Sequence, residues 1–309
     1  MDMEQIESLL ITGSNGFVGQ SFLDYLISLP DQNMPKELYL ANRSPIVDRQ
    51  TKLLNNTKIH RIEVDLVEPW KFDFKVSHIL NLAADGSKSS YSSESSRNFI
   101  KIGENLCNWI KRSRPKVLVH ASSGACFGLK PIKLNKDGFQ NKSEFIESRL
   151  QIEEHITRIC NEIKIRSVVA RLFTFIGPQL LNKKQYAISS FIHDAVNNGV
   201  INVKGNKNTI RSYMHESTMS MWLYNCLINP NAKNVVSIGS SDSVKIAELA
   251  EYISRLTGAV INYIYPNAPG DRYVAKNKKE MQFLDLDEGV NWRQSVQECI
   301  DLLESRNSN

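Results

Sequence analysis

The sequence predicts a doubly wound parallel α/β sheet followed by a smaller mixed α/β lobe. Three observations carry this. A short apolar run, Leu9 to Thr12, leads into Gly13, Gly16 and Gly19 at three-residue intervals, and Phe22, Leu23, Leu26 and Ile27 then recur at helical spacing. Strand-like runs alternate with helix-periodic stretches through the first 175 residues, as an open parallel sheet requires. After Gly177-Pro178 the pattern changes to short strands mixed with helices.

The first strand, glycine turn and helix form the context that a dinucleotide-binding loop needs. Gly13 permits the tight turn, Gly16 lets backbone approach a pyrophosphate, and Gly19 lets helix and strand pack closely. Asn15, Phe17 and Val18 complete the loop and open the helix, whose N-terminal N–H groups and macrodipole favour an anion.

A second strand over 37–41 ends in Asn42-Arg43-Ser44-Pro45. In a sheet of this kind that strand end meets the adenosine ribose. A carboxylate there would bind the 2′-hydroxyl and repel a 2′-phosphate; Asn42, Arg43 and Ser44 include none. The Arg43 guanidinium suits a 2′-phosphate, which favours NADP over NAD; its other reading is a solvated surface arginine. A third strand over 58–64 is closed by Asp65-Leu66, where Asp65 either accepts from the adenine amino group or ends the strand in a turn. A fourth, over 78–84, ends in Leu82-Ala83-Ala84, small enough for a diphosphate and ribose to come close.

A serine-rich loop over 85–96 precedes a helix over 98–111, marked by Phe99, Ile102, Leu106, Trp109 and Ile110. A fifth strand over 116–121 runs into Ser122-Ser-Gly-Ala-Cys-Phe-Gly128. A helix over 145–159 and a sixth strand over 165–173 complete the first domain, 1–175. The remainder, 176–309, is expected to form a second lobe over the carboxyl ends of the sheet, with some segments returning to the first domain. Its strands are placed at 200–203, 235–238 and 260–265, and its helices at 189–197, 216–227, 245–257 and 295–304.

The 309 residues are 41% hydrophobic and 23% charged, enough for a large core. The net charge of +5 is scattered, which argues against nucleic acid as a partner and suits phosphate-bearing ligands. Cys107, Cys126, Cys160, Cys226 and Cys299 are odd in number and far apart, as expected of reduced thiols in a cytoplasm rather than a disulfide framework or zinc site. His120 and His215 lack metal-ligand spacing, so no metal is expected. The acidic start has no signal-peptide pattern and no apolar run reaches membrane-spanning length, so a cytoplasmic protein without a membrane partner is expected.

The ordered motifs Thr12-Gly-Ser-Asn-Gly-Phe-Val-Gly19, Asp65-Leu66, Leu82-Ala-Ala84, Ser122 to Gly128, Arg171-Leu-Phe-Thr-Phe-Ile-Gly-Pro178, Gly205 to Tyr213, Ser237-Ile-Gly239 and Pro269-Gly-Asp271 resemble those of the extended short-chain dehydrogenase/reductases, in the sugar-nucleotide epimerase/dehydratase branch. The resemblance implies a Rossmann domain, a tightly held NAD or NADP, a nucleotide-diphosphate sugar between the lobes, and a homodimer. It also implies a catalytic Ser or Thr and a Tyr-x-x-x-Lys on the following helix. Ser123 matches the first and would hydrogen-bond the sugar oxygen that becomes a carbonyl. Phe145-Ile-Glu-Ser-Arg149 stands in the place of the second, a register supported by Glu153, and no Tyr-x-x-x-Lys occurs in the chain.

The family's tyrosine removes the hydroxyl proton as a phenolate. Phe145 has neither proton nor lone pair, and general acid–base catalysis is worth about 10²–10⁴-fold. Arg149 can donate to the nicotinamide ribose hydroxyls, but it stays protonated and cannot act as a base. Ile100 and Thr174 stand where the family carries asparagines, and Gly124-Ala125 where 4,6-dehydratases carry Asp-Glu, so water elimination is disfavoured. Tyr91, Tyr186, Glu144 and Cys126 are candidate substitute bases, each also readable as structural or surface. Arg211 matches the arginine that binds the substrate diphosphate; Ala268 replaces a second one, with Arg272 close by. Two readings follow: an NAD(P)-dependent enzyme with an atypical site, or a catalytically inactive binding relative with a regulatory or partner role.

Overall fold

The computed structural model describes residues 5–45, 57–84, 92–127, 138–181, 183, 186–232, 234–264 and 270–307, with the side chains of 138–142 set aside. Tyr91, Gly128, Tyr265, Ala268, Pro269 and most of the serine-rich loop lie outside these residues. The chain divides into two compact units, Met1–Leu172 with Ser220–Val236, and Phe173–Met219 with Ser237–Asn309.

The strands, in order, are β1 (Ser8–Thr12), β2 (Glu37–Asn42), β3 (Lys58–Glu63), β4 (His78–Asn81), β5 (Val117–Ser123), β6 (Arg166–Leu172), β7 (Phe175–Ile176), β8 (Val200–Val203), β9 (Ile210–Ser212), β10 (Met214–His215), β11 (Asn234–Ile238), β12 (Ser243–Lys245), β13 (Val260–Tyr263) and β14 (Arg272–Tyr273). The helices are α1 (Phe17–Ser28), α2 (Ser93–Ser113), α3 (Gly138–Glu162), α4 (Ala187–Asn198), α5 (Glu216–Ile228), α6 (Ile246–Thr257), α7 (Lys278–Leu284) and α8 (Trp292–Asn307).

The main sheet has the order β3-β2-β1-β4-β5-β6-β11. Pairing is parallel from β3 through β6. Leu9, Leu10, Ile11, Ile79, Leu80, Leu118 and Val119 have no exposed surface, as expected of strands covered on both faces. The order reverses between β1 and β4, and that switch point is where open α/β sheets bind their ligands.

Several bounds differ from the sequence expectation: α3 starts at Gly138 rather than 145, β4 ends at Asn81 rather than 84, and β5 runs on to Ser123 rather than 121. Helix α2 starts at Ser93 rather than near 98, because Ser92 caps it: its side chain accepts the Ser95 N–H at 3.0 Å. Its first turn is polar and carries capping rather than apolar periodicity. Strand β11, expected in the second lobe, instead lies beside β6 as the seventh strand of the main sheet. Its buried Val236 and Ile238 specify a strand but not a sheet. In the second unit β12-β9-β14 form one small sheet, and β13 pairs with β8 and β10 with β7. The two- and three-residue strands β7, β9, β10, β12 and β14, and the short α7, were not expected, since so few residues carry no readable period.

The glycine turn is built by contact between backbones. Gly13 has φ +71° and donates its N–H to the Ala41 carbonyl at 2.9 Å. A β-carbon at Gly19 would lie 2.5 Å from Ser14 Cα and 2.6 Å from the Gly13 and Ser14 carbonyl oxygens. These are main-chain atoms and cannot swing aside. Gly19→Ala is therefore expected to destabilise unit 1 by about 3 kcal/mol, the upper range for overpacking. Denaturant unfolding measures this; a loss near zero would show that the loop has slack.

Candidate dinucleotide and catalytic site

Gly13, Asn15, Gly16, Phe17, Val18 and Gly19 converge at the carboxyl end of β1. Gly16 is the exposed N-cap of α1, and no side chain caps that helix. A helix N-terminus without a side-chain cap is of the kind that can take an anion. Behind the loop, the Asn42 amide oxygen accepts the Asn15 N–H at 2.9 Å, and its nitrogen donates to Ser14 Oγ at 2.6 Å. Asn15 Nδ2 donates to the Pro45 carbonyl at 2.9 Å. Asn42 is buried, so of the three residues expected at the ribose it braces the loop, while Arg43 and Ser44 are exposed.

Asp65 ends β3 in a turn, its Oδ1 accepting the Val67 N–H at 3.0 Å. Leu66 is buried, and its carbonyl accepts from Trp70 Nε1 and Asn105 Nδ2. The Leu82 N–H bonds the Thr12 carbonyl at 3.2 Å; Ala83 packs on Gly13, and Ala84 is exposed. The backbone of Leu82 and Ala83 after β4 therefore lies against the glycine turn. The cradle fits a dinucleotide: its glycines admit no side chain on the loop's backbone contacts, and its helix end is uncapped.

A buried polar chain runs across the sheet from this loop. Thr12 Oγ1 donates to Asn81 Oδ1 at 2.6 Å and accepts the Ala83 N–H at 3.2 Å. Asn81 Nδ2 donates to His120 Nδ1 at 2.8 Å. Burial, with the Arg149 charge adding to it, lowers the His120 pKa to about 3. The ring is therefore neutral and carries its proton on Nε2, a buried atom without a partner among the described residues. Thr12, Asn81 and Ser14 were not singled out from sequence. The available signal was a polar residue inside an otherwise apolar strand.

At the end of β5, Ser123 Oγ accepts the Ala125 N–H at 3.2 Å and is partly exposed. Its neighbour Ser122 donates to Glu153. Glu153 is also gripped by Arg171 of β6, with Nε 3.1 Å from Oε1 and Nη2 2.6 Å from Oε2. Arg171 lies over the Phe127 ring at 4.5 Å. Burial, then the Glu153 charge, raises the Cys126 pKa, so its thiol stays protonated.

Phe145, Arg149 and Glu153 recur every four residues on α3 and so share one face. The Arg149 guanidinium carbon sits 3.6 Å from the Phe145 ring centroid and 4.1 Å from that of Phe99 on α2. Its Nη1 donates to Ser148 Oγ at 3.0 Å and to the Phe145 carbonyl at 3.5 Å. Arg149 is 6% exposed. The arginine lies over both aromatic faces. Ile100 packs against the core of unit 1.

In the second unit, Thr174 Oγ1 donates to the Ser212 carbonyl at 2.7 Å. Arg211 pairs with Asp271 at 2.7 Å and donates to the Ile210 carbonyl at 2.9 Å, while Arg272 on β14 is exposed. His215 is buried, with Nε2 2.9 Å from Glu298 Oε2 and Nδ1 2.6 Å from Ser217 Oγ. Tyr186 is exposed at the start of α4. The described residues contain no cluster able to hold a metal ion, and no helix among them is long and apolar enough to cross a membrane.

A doubly wound parallel sheet with a glycine loop at its switch point defines a dinucleotide-binding α/β protein. A model of the NAD dependent epimerase/dehydratase family matches residues 9–239, and the chain belongs to that family. It is 23% identical to UDP-glucuronic acid decarboxylase 1 of Xenopus tropicalis over 261 residues, 81% of this chain, and spans 60% of that relative's length. MoeE5 in complex with UDP-glucose and NAD superposes with a TM-score of 0.77 at 19% identity, covering 97% of this chain and 99% of that one. UDP-N-acetylglucosamine 4-epimerase from Methanobrevibacter ruminantium M1, in complex with UDP-N-acetylmuramic acid, gives 0.77 at 19% identity, covering 98% and 100%. At these identities the likeness establishes a shared fold.

Two outcomes follow from the site's electrostatics. Arg171→Met leaves Glu153 buried without its cation and is expected to cost about 3–5 kcal/mol; adding Glu153→Leu should recover most of this in chemical denaturation. No recovery in the double variant would show that the pair is not the cause. His78 is held neutral like His120, its pKa lowered to about 4 mainly by burial. Both bind a proton in the unfolded chain below about pH 6.5 but not in the native one. Stability is therefore expected to fall with falling pH between 6 and 4.5, by up to about 2.7 kcal/mol per pH unit, and His120→Asn should halve that slope. An unchanged slope would mean that His120 protonates in the folded state.

Proposed function

We propose that this chain binds NAD in unit 1, takes a nucleotide-diphosphate sugar as its ligand, and does not remove a hydroxyl proton through the residue at position 145. The carrying observation is the Phe145 ring stacked on the Arg149 guanidinium at 3.6 Å. When bound, NAD supplies a hydride acceptor. The chain's own residues do the rest. The glycine-loop amides hold the pyrophosphate anion, braced from behind by Asn42. Ser123 offers a hydroxyl to a sugar oxygen. Phe145 moves no proton, Cys126 keeps its own, and Glu153 is committed to Arg171 and Ser122. NADP is the second candidate for the same site, because Arg43 is exposed at the end of β2 and suits a 2′-phosphate. The nucleotide-sugar reading is supported by family membership and by the solved relative that holds UDP-glucose. Arg211 is the residue assigned to its diphosphate, exchanging Asp271 for the ligand.

A second reading, an enzyme with a substitute base, rests on the retained and partly exposed Ser123 hydroxyl. The two are separated by assaying the parent beside a Phe145→Tyr, Arg149→Lys double variant with NAD and UDP-glucose, UDP-glucuronate and UDP-N-acetylglucosamine, following products by mass spectrometry. The binding reading expects nucleotide-sugar binding without turnover in the parent, and a gain of about 10²-fold or more in the variant. Turnover by the parent at or above the variant's rate would overturn it in favour of the enzyme. Binding of neither nucleotide nor nucleotide sugar would overturn both.

A further inference from the structure

Unit 2 carries a second set of polar side chains that the glycine-loop site does not use. Strand β10 ends at His215 and α5 opens at Glu216, so His215 and Ser217 flank the first residue of that helix. Ser217 Oγ lies 2.6 Å from His215 Nδ1, and His215 Nε2 lies 2.9 Å from Glu298 Oε2 on α8. The ring is buried, while Ser217 and Glu298 are exposed. A hydroxyl open to solvent is thus backed by an imidazole, and the imidazole by a carboxylate.

The main chain fixes which nitrogen carries the ring's proton. The Ser217 N–H donates to Nδ1 at 3.2 Å, and an amide N–H can only donate. Nδ1 therefore accepts, and the proton of the neutral ring sits on Nε2, donated to Glu298. The Nδ1 lone pair is shared with the shorter bond from Ser217 Oγ. This is the tautomer that general-base activation of a hydroxyl needs. Capping α5 accounts for the amide contact alone. It requires neither the hydroxyl nor a carboxylate on the far nitrogen, and that carboxylate comes from 83 positions along the chain.

We propose that Ser217, His215 and Glu298 form an acyl-transfer site in unit 2 that cleaves small, activated carboxylic esters, independently of the nucleotide reading of unit 1. Ser217 Oγ attacks the ester carbonyl and its proton passes to Nδ1. The Oγ–C bond forms, the C–O bond to the alcohol breaks, and the alcohol leaves with the proton from Nδ1. Water then attacks the acyl-serine and gives a proton to Nδ1. The Oγ–C bond breaks, the carboxylic acid departs, and that proton returns to Oγ. Protonating Nδ1 displaces the longer amide contact, and the Glu298 carboxylate offsets this by stabilising the imidazolium. Ser217 and His215 touch the reacting atoms; Glu298 acts through the ring as a positioning residue.

The test uses the full chain with two probes. Diisopropyl fluorophosphate forms an Oγ–P bond as fluoride leaves, and peptide mass spectrometry locates and times the modified serines. Hydrolysis of p-nitrophenyl acetate reports turnover. Ser243, exposed on β12, is the internal reference. Ser217 is expected to be modified about 10²-fold faster than Ser243, the lower range for assistance by a general base. Ser217→Ala keeps the main-chain amide on Nδ1 and should abolish hydrolysis. Glu298→Gln should slow modification of Ser217 about tenfold at an unchanged thermal midpoint, and Glu298→Asp should recover part of the rate. Modification of Ser217 no faster than that of Ser243 would overturn the site. Hydrolysis that persists in Ser217→Ala would overturn the assignment to this serine. A Glu298→Gln rate equal to the parent's would show that the carboxylate only packs, and would overturn its part in the site.

Discussion

Unit 1 depends on one close approach of main chain to main chain. At the end of β1 the backbone of Gly13 and Ser14 comes so near to Gly19 that no β-carbon fits between them. That contact sets the angle at which α1 leaves the sheet, and so the direction of its uncapped amides. The surrounding side chains then serve this geometry. Ser14 and Asn42 lock the loop to β2, and Thr12 ties it to Asn81 on β4. The loop is held on both sides of the switch point before any ligand arrives, so the cost of ordering it is met by folding and not by binding.

The other end of the polar chain is built differently. At the carboxyl ends of β5 and β6 the polar side chains are packed and hydrogen-bonded. His120 is neutral through burial, Cys126 stays protonated, and Glu153 is bound by both Arg171 and Ser122. Arg149 is charged and clamped between Phe99 and Phe145. Phe145 and Arg149 belong together in this sense: the ring that cannot act as a base is a good face for the cation that cannot act as one either.

Much of this was legible in the sequence because it is local. Glycine spacing, apolar runs and helical periodicity placed β1 through β6 and the helices between them. The spacing from Phe145 to Arg149 to Glu153 placed all three on one helical face. What escaped was set by distant partners. Arg211 meets Asp271 across 60 residues and His215 meets Glu298 across 83, and neither pairing leaves a periodic trace. The strand β11 reads correctly as a strand, yet its place beside β6 is a choice among sheets that its own residues do not encode. Asn42 was read as a ligand-facing residue from its position at a strand end. Its burial beneath the loop follows from which way that last residue's side chain alternates, which a one-residue shift of register would reverse.

The glycine loop of unit 1 is the place proposed to receive a nicotinamide dinucleotide. Hydrogen–deuterium exchange of the full chain, with and without saturating NADH, tests this most directly. Slowed exchange is expected in the peptide spanning Gly13 to Gly19 and at the start of α1. Unchanged exchange there, with protection appearing elsewhere in the chain, would contradict it.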